Sequence, residues 1–255
     1  MRTKHLATLL FVLLIHTIGH TQQHFDFNMF NGEGELRSIY VQRHRLNEKY
    51  TLNLDAGSYI GIGNNVWTRW GFRGNINRKL SDFYSFDIGF MYNRTHYVDD
   101  VEVGNTMESL NVTRHEYRPH QTFHINYPRF KSSVLQHRFR IEERIFTHIH
   151  NDIKNFKMRL RYRVQHQGRF NGQPIVPKSF FYRAFAEFNF NIYQEAEDVF
   201  WVRGRYCLGY GYQFNSKLSA DANYYFEHTK VAKEHEQVIT HIFQFTLRHT
   251  IFWQN

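Results

Sequence analysis

Arginine recurs at every second residue along several stretches of this chain. Arg138 and Arg140 lead to Glu142 and Arg144, Arg159 is followed by Arg161 and Arg163, Arg183 stands four residues before Glu187, and Arg203 precedes Arg205. A guanidinium group is a planar fork that meets carboxylates or phosphates with two parallel hydrogen bonds and keeps its charge at all working pH values. Rows of such groups can do one of two things. They hold anions, or they lock onto the chain's own acids and cross-link it. Arg138, Arg140, Glu142, Arg144, Arg159, Arg161, Arg163, Arg183, Arg203 and Arg205 are therefore the candidate anion-binding set.

Other chemistry is less legible. Among seventeen histidines, His148 and His150 form an H-x-H with Asp152 nearby, and His120 and His124 share one strand face. Neither pair has a third ligand at a readable spacing, so no metal or cofactor is assigned. His235–Glu236 lacks the second histidine of a zincin motif. Acyl transfer on a barrel wall would need a serine beside a histidine. Ser179 and Ser219 are the serines considered, and neither has a partner in the sequence, so no catalytic residue is assigned and an enzyme is the lesser reading. The single Cys207 excludes an internal disulfide.

The elements that carry these residues alternate with period two. In Phe156–His166 the even positions are Phe156, Met158, Leu160, Tyr162 and Val164, and the odd ones include all three arginines. Successive strand side chains point to opposite faces, so one face is charged and the other apolar. The same alternation runs through Leu36–Leu46, Thr51–Ile60, Val66–Ile76, Phe83–Asn93, His120–Tyr127, Leu135–Thr147, Phe180–Ile192, Phe200–Phe214, Leu218–Phe226 and Phe243–Trp253. The chain reads as all-β. His96–Arg114 reads as a long loop.

A soluble sandwich would put the apolar face inside. Three features favour the opposite. The strands look longer than the roughly 5–6 residues usual in globular sheets. Aromatics gather at strand ends, as at Phe83/Tyr84, Tyr127, Phe180, Phe200/Trp201 and Trp253, which suits membrane-interface girdles. Arg2 and Lys4 open an apolar run, Leu6–Ile15, and a polar exit, which is the pattern of a secretory signal peptide over residues 1–21. The remainder, 22–255, then forms one domain, an antiparallel up-and-down transmembrane barrel in the outer membrane of a bacterium. Turn lengths place the first, third and later odd breaks on the periplasmic side. Eleven strands result; a further strand at Phe25–Phe30, turning at Gly32–Gly34, brings the count to about twelve, as even-stranded barrels require.

The segments LQHRFRIEERIF (Leu135–Phe146), FKMRLRYRV (Phe156–Val164), LGYGYQFNSKLSADANY (Leu208–Tyr224) and FQFTLRHTIFWQN (Phe243–Asn255) resemble the uncharacterised outer-membrane family catalogued as domain of unknown function 2490. The resemblance spans nearly the whole mature chain and implies a barrel. It implies no activity.

With lipid on the apolar face, the lumen receives Arg69, Arg73 and Arg248 besides the arginines above, against Asp55, Asp87, Glu142, Glu187 and Asp221. Positive charge is in excess. The leading expectation is a small barrel that conducts or binds a small anion, in contact with outer-membrane lipid and lipopolysaccharide and inserted by the barrel-assembly machinery. Alternatives are a closed structural barrel, an outer-membrane lipid-modifying enzyme, and a soluble nucleic-acid binder; the last is disfavoured because the basic residues fall in rows rather than a patch. Glu143, His137 and His249 carry the apolar parity and are the residues that a lipid-facing wall must explain. Oligomeric state is not written in the pattern.

Overall fold

A computed structural model describes residues 33–63, 67–103, 106–127, 133–148, 154–193, 201–230 and 237–253. Within them the alternating stretches become eleven strands: β1 Glu33–Arg45, β2 Tyr50–Ile62, β3 Trp67–Lys79, β4 Tyr84–Val103, β5 Thr106–Tyr127, β6 Ser133–His148, β7 Lys154–Gly168, β8 Ser179–Asn191, β9 Trp201–Gln213, β10 Leu218–Lys230 and β11 Gln237–Phe252. Each pairs with its sequence neighbours, and β1 pairs with β11, so the sheet closes into a barrel with no free edge.

The closure corrects the strand count. Strands that alternate up and down end with the first and last parallel when their number is odd. β1 and β11 do run parallel, from Glu33 opposite Thr240 to Arg45 opposite Phe252. Both neighbours of β1 are thus already taken, and the barrel has eleven strands, not twelve. The expected strand at Phe25–Phe30 and the signal segment lie outside the described residues. Gly34, read as part of a turn, is in β1 and pairs with Ile62.

The second correction concerns His96–Arg114, which is not a loop. β4 and β5 form a hairpin in continuous register from Tyr84 opposite Ile125 to Val103 opposite Thr106. The neighbouring ladders stop earlier, at Trp67 opposite Tyr97 on one side and Arg114 opposite His148 on the other. Residues 98–103 and 106–113 therefore pair only within this hairpin, beyond the barrel rim. No neighbouring strand flanks this pair to hold it in the barrel wall, so the sequence lacked the signal that marks the other strands.

The two faces of the wall are inverted relative to a soluble protein. Outward side chains are large and apolar, with Ile88 61%, Leu208 70% and Phe245 54% exposed. Inward ones are charged and buried, Glu187 at 0% and Glu142 at 1%. A continuous apolar exterior of this kind is stable against hydrocarbon and unfavourable in water. Inside, crowding dictates glycine at one point. A Cβ on Gly89 would lie 2.5 Å from Asn75 Cβ and 2.6 Å from His120 Nε2, so no larger residue fits without moving a strand.

Candidate lumenal site

The β6–β7 register sets the two arginine rows face to face: Arg138 opposite Arg163, Arg140 opposite Arg161, and Glu142 opposite Arg159. Like charges at that spacing repel, and the fold answers by sharing carboxylates. Glu187, on the next strand, accepts from Arg161 Nη2 at 2.5 Å, Arg138 Nη2 at 2.6 Å and Arg163 Nη2 at 2.7 Å, with Arg205 Nη1 at 3.7 Å. Glu142 accepts from Arg161 Nη1 at 2.6 Å, with Arg118 at 3.6 Å and Arg140 at 3.8 Å. Arg161 therefore bridges the two acids. Glu116 takes Arg144 at 2.5 Å and Arg118 at 2.7 Å. Glu227 serves Arg203 at 3.0 Å and Arg205 Nε at 2.6 Å. Asp221 serves Arg183 at 3.1 Å and also Arg248.

Nine of the ten candidate residues thus sit in ion pairs, eight of them with a partner on another strand and Arg140 with Glu142 on its own strand. Arg159 does not. Among the described residues it makes no hydrogen bond or ion pair, and its Nε is buried without a partner. Its register partner on β6 is Glu142, an acid already taken by Arg161. Aromatic rings supply part of the support that carboxylates do not. Arg163 lies 3.9 Å from the Phe185 ring centroid, and Arg205 and Arg37 each 5.8 Å from that of Tyr225.

These groups surround a cavity of about 1540 Å³ lined by seventeen arginines. Its lining runs from Asn47, Lys79 and Asp82 at the short-turn end to Glu33, Arg114 and Thr240 at the other. The lumen holds charged residues that the alternation alone did not assign to it. Arg37 bonds Glu35 at 2.7 Å, and Glu35 also takes Arg69 at 2.9 Å. Glu116, Arg118 and Glu227 are likewise interior. The Glu33–Glu35–Arg37 spacing carried this signal, whereas Glu116 and Arg118 were hidden by Pro119 and by a hairpin read as loop.

The histidines and serines separate by face. His124 meets Asp87 at 2.9 Å inside the lumen, and His120 is buried there with Nε2 lacking a partner. Among the described residues no three metal-ligating side chains come together. His148 ends β6 opposite Arg114, while His150, Asp152, His235 and Glu236 lie outside the described residues. Ser179 donates to the Val176 carbonyl at 2.6 Å, a turn contact, and Ser219 is a buried lumenal residue. On the outer wall His137 Nδ1 meets Tyr162 Oη at 2.7 Å and His249 Nδ1 meets Tyr40 Oη at 3.4 Å. Neutral pairing explains how these rings tolerate an apolar surface. Glu143 is on that wall too, opposite Met158, and nothing in the structure explains it.

Known proteins offer a fold and little more. The family described as "Protein of unknown function (DUF2490)" matches residues 38–238. No curated protein matches. Among solved structures, the translocator domain of the autotransporter NalP from Neisseria meningitidis is similar, with 14% identity over 72% of this chain and 71% of that one and a TM-score of 0.53. At that identity the likeness is one of barrel architecture.

Proposed function

The chain belongs to the family described as protein of unknown function (DUF2490), which assigns no activity, and on that premise we propose that it is an outer-membrane barrel whose lumen takes up small anions. The observation that carries this reading is Arg159, a guanidinium that makes no ion pair among the described residues and whose register partner, Glu142, is taken by Arg161. Rings of fixed charge set the sign of the ions that a pore admits, and a lumen with more guanidinium than carboxylate favours anions. The apolar wall rests against outer-membrane lipid and lipopolysaccharide, and the barrel-assembly machinery inserts it. Planar-bilayer recordings test the reading: the folded protein gives anion-selective currents, and Arg159→Glu with Arg161→Glu abolishes or inverts the selectivity. A barrel that is silent at all voltages sinks it.

A second reading draws on the sharing itself. Glu187 ties β6, β7, β8 and β9 together, which is how a closed structural barrel would brace its walls. In that case the same substitutions lower the temperature at which the folded barrel loses its fast gel mobility and change no flux.

A further inference from the structure

On the outer face of the β6–β8 wall, three polar side chains meet at the short-turn end. Ser133 Oγ lies 2.9 Å from His166 Nε2, and His166 Nδ1 lies 3.1 Å from Tyr182 Oη. With the proton on Nδ1 donated to the tyrosine oxygen, Nε2 is left to accept the serine O–H. That is the order of contacts an activated serine needs: nucleophile, base, and a group that fixes the base's tautomer. The residues come from three strands whose register brings Ser133 opposite Gly168 and His166 opposite Ala184.

An apolar groove of about 450 Å³ begins at His166. The next outward residues on each strand line it: Leu135 follows Ser133 on β6, Val164 precedes His166 on β7, and Ala184 and Ala186 follow Tyr182 on β8. Leu208 on β9 completes this side of it. The small alanines sink the wall between larger neighbours. Its volume is within the roughly 300–1,000 Å³ usual for small-molecule sites. The occupant follows from its surroundings. The wall here is apolar and outward, and Phe170, Phe180, Tyr210 and Tyr212 cluster in ring contact of 4.7–6.1 Å beside the polar trio. Aromatic belts mark the membrane interface, which is the depth of a lipid's ester groups, while the groove runs on into the hydrocarbon.

We propose that Ser133 and His166 form an acyl-ester hydrolase site on the outer wall, with Tyr182 as a positioning residue and the fatty chain of a glycerophospholipid in the groove. Phospholipid is favoured because short turns mark the periplasmic side of such barrels. Ser133 Oγ attacks the ester carbonyl carbon as its proton passes to His166 Nε2. The tetrahedral intermediate collapses, the carbon–oxygen ester bond breaks, and His166 returns the proton to the departing alcohol oxygen. Water, its proton taken by His166, then cleaves the acyl-serine, releasing the fatty acid and restoring Ser133. A neutral phenol steadies the imidazolium less than a carboxylate does, so turnover is slow. The site is on the opposite side of the wall from the lumen and does not depend on the anion reading.

The experiment uses the purified folded barrel in vesicles of phosphatidylethanolamine and phosphatidylglycerol, with fatty-acid release read by mass spectrometry. In parallel, a fluorophosphonate probe reports the activated serine. The wild type releases fatty acid and carries the adduct on Ser133. Ser133→Ala and His166→Ala each lower release by about a thousandfold or more, and Ser133→Ala loses the adduct while keeping the heat-resistant gel mobility of the folded barrel. Tyr182→Phe lowers kcat about tenfold with KM unchanged and moves the acidic limb of the pH–rate profile. Ala184→Phe raises KM for a long-chain lipid more than for a short-chain ester. No release and no adduct from the wild type would overturn the proposal, as would release that survives in Ser133→Ala. Release from lipopolysaccharide vesicles alone would overturn the phospholipid assignment.

Discussion

The inner and outer faces of the β6–β8 wall are built from the same residues in alternation, and they satisfy polar groups in opposite ways. Inside, Glu187 and Glu142 collect arginines from several strands, and charge is answered by charge. Outside, His137 and His166 are answered by tyrosine hydroxyls, and no full charge is needed. The difference follows from the medium. A wet cavity tolerates excess guanidinium, because water and ions complete its solvation. A hydrocarbon medium would offer nothing, which suits the neutral, paired histidines of the outer face but not Glu143.

The contrast is broken most directly at the inner hub. Glu187→Gln leaves Arg138, Arg161 and Arg163 without their shared acid and costs about 3–5 kcal/mol, the magnitude found for removing one partner of a buried pair; thermal loss of the folded gel band reads it. Arg161→Leu strips two acids at once and falls in the same range, whereas Arg159→Leu, which orphans no partner among the described residues, leaves the thermal midpoint unchanged or raises it. Equal losses at the two positions would show that Arg159 is part of the bracing network. On the outer face, Tyr162→Phe leaves His137 Nδ1 unpaired and costs about 1–3 kcal/mol, with an upfield shift of the ring signals recorded by NMR in micelles. A smaller effect is expected beyond either face. Lys79, at 2.6 Å, holds the exposed Asp82 carboxyl below its ordinary range. Because the folded value is the depressed one, its contribution is present above the unfolded value and fades as pH falls. Solvent screens the pair, so Asp82→Asn leaves the midpoint unchanged at neutral pH.

Much of the barrel was legible in the alternation. The stretch Phe156–His166 named its own faces, and the structure puts Arg159, Arg161 and Arg163 inside and Tyr162 outside as that pattern requires. The hairpin over His96–Arg114 was not legible, because a strand pair beyond the barrel wall is not held to the two-residue signal. Nor was the Ser133–His166–Tyr182 trio. These residues carry no signal of their own in the sequence, and the serines Ser179 and Ser219 serve a turn and the lumen.

By itself, then, the sequence determined the facing of residues within its regularly alternating stretches, such as Phe156–His166, since side-chain direction in a strand alternates from one residue to the next. It could not determine how many strands close the ring, which carboxylate serves which arginine, or that Arg159 pairs with none among the described residues. Those depend on register between strands distant in sequence: the parallel seam of β1 and β11 joins residues about two hundred positions apart, and the Ser133–His166 contact spans 33. Only the closed sheet fixes such pairings, because hydrogen-bonded register is set by both partners and by neither alone.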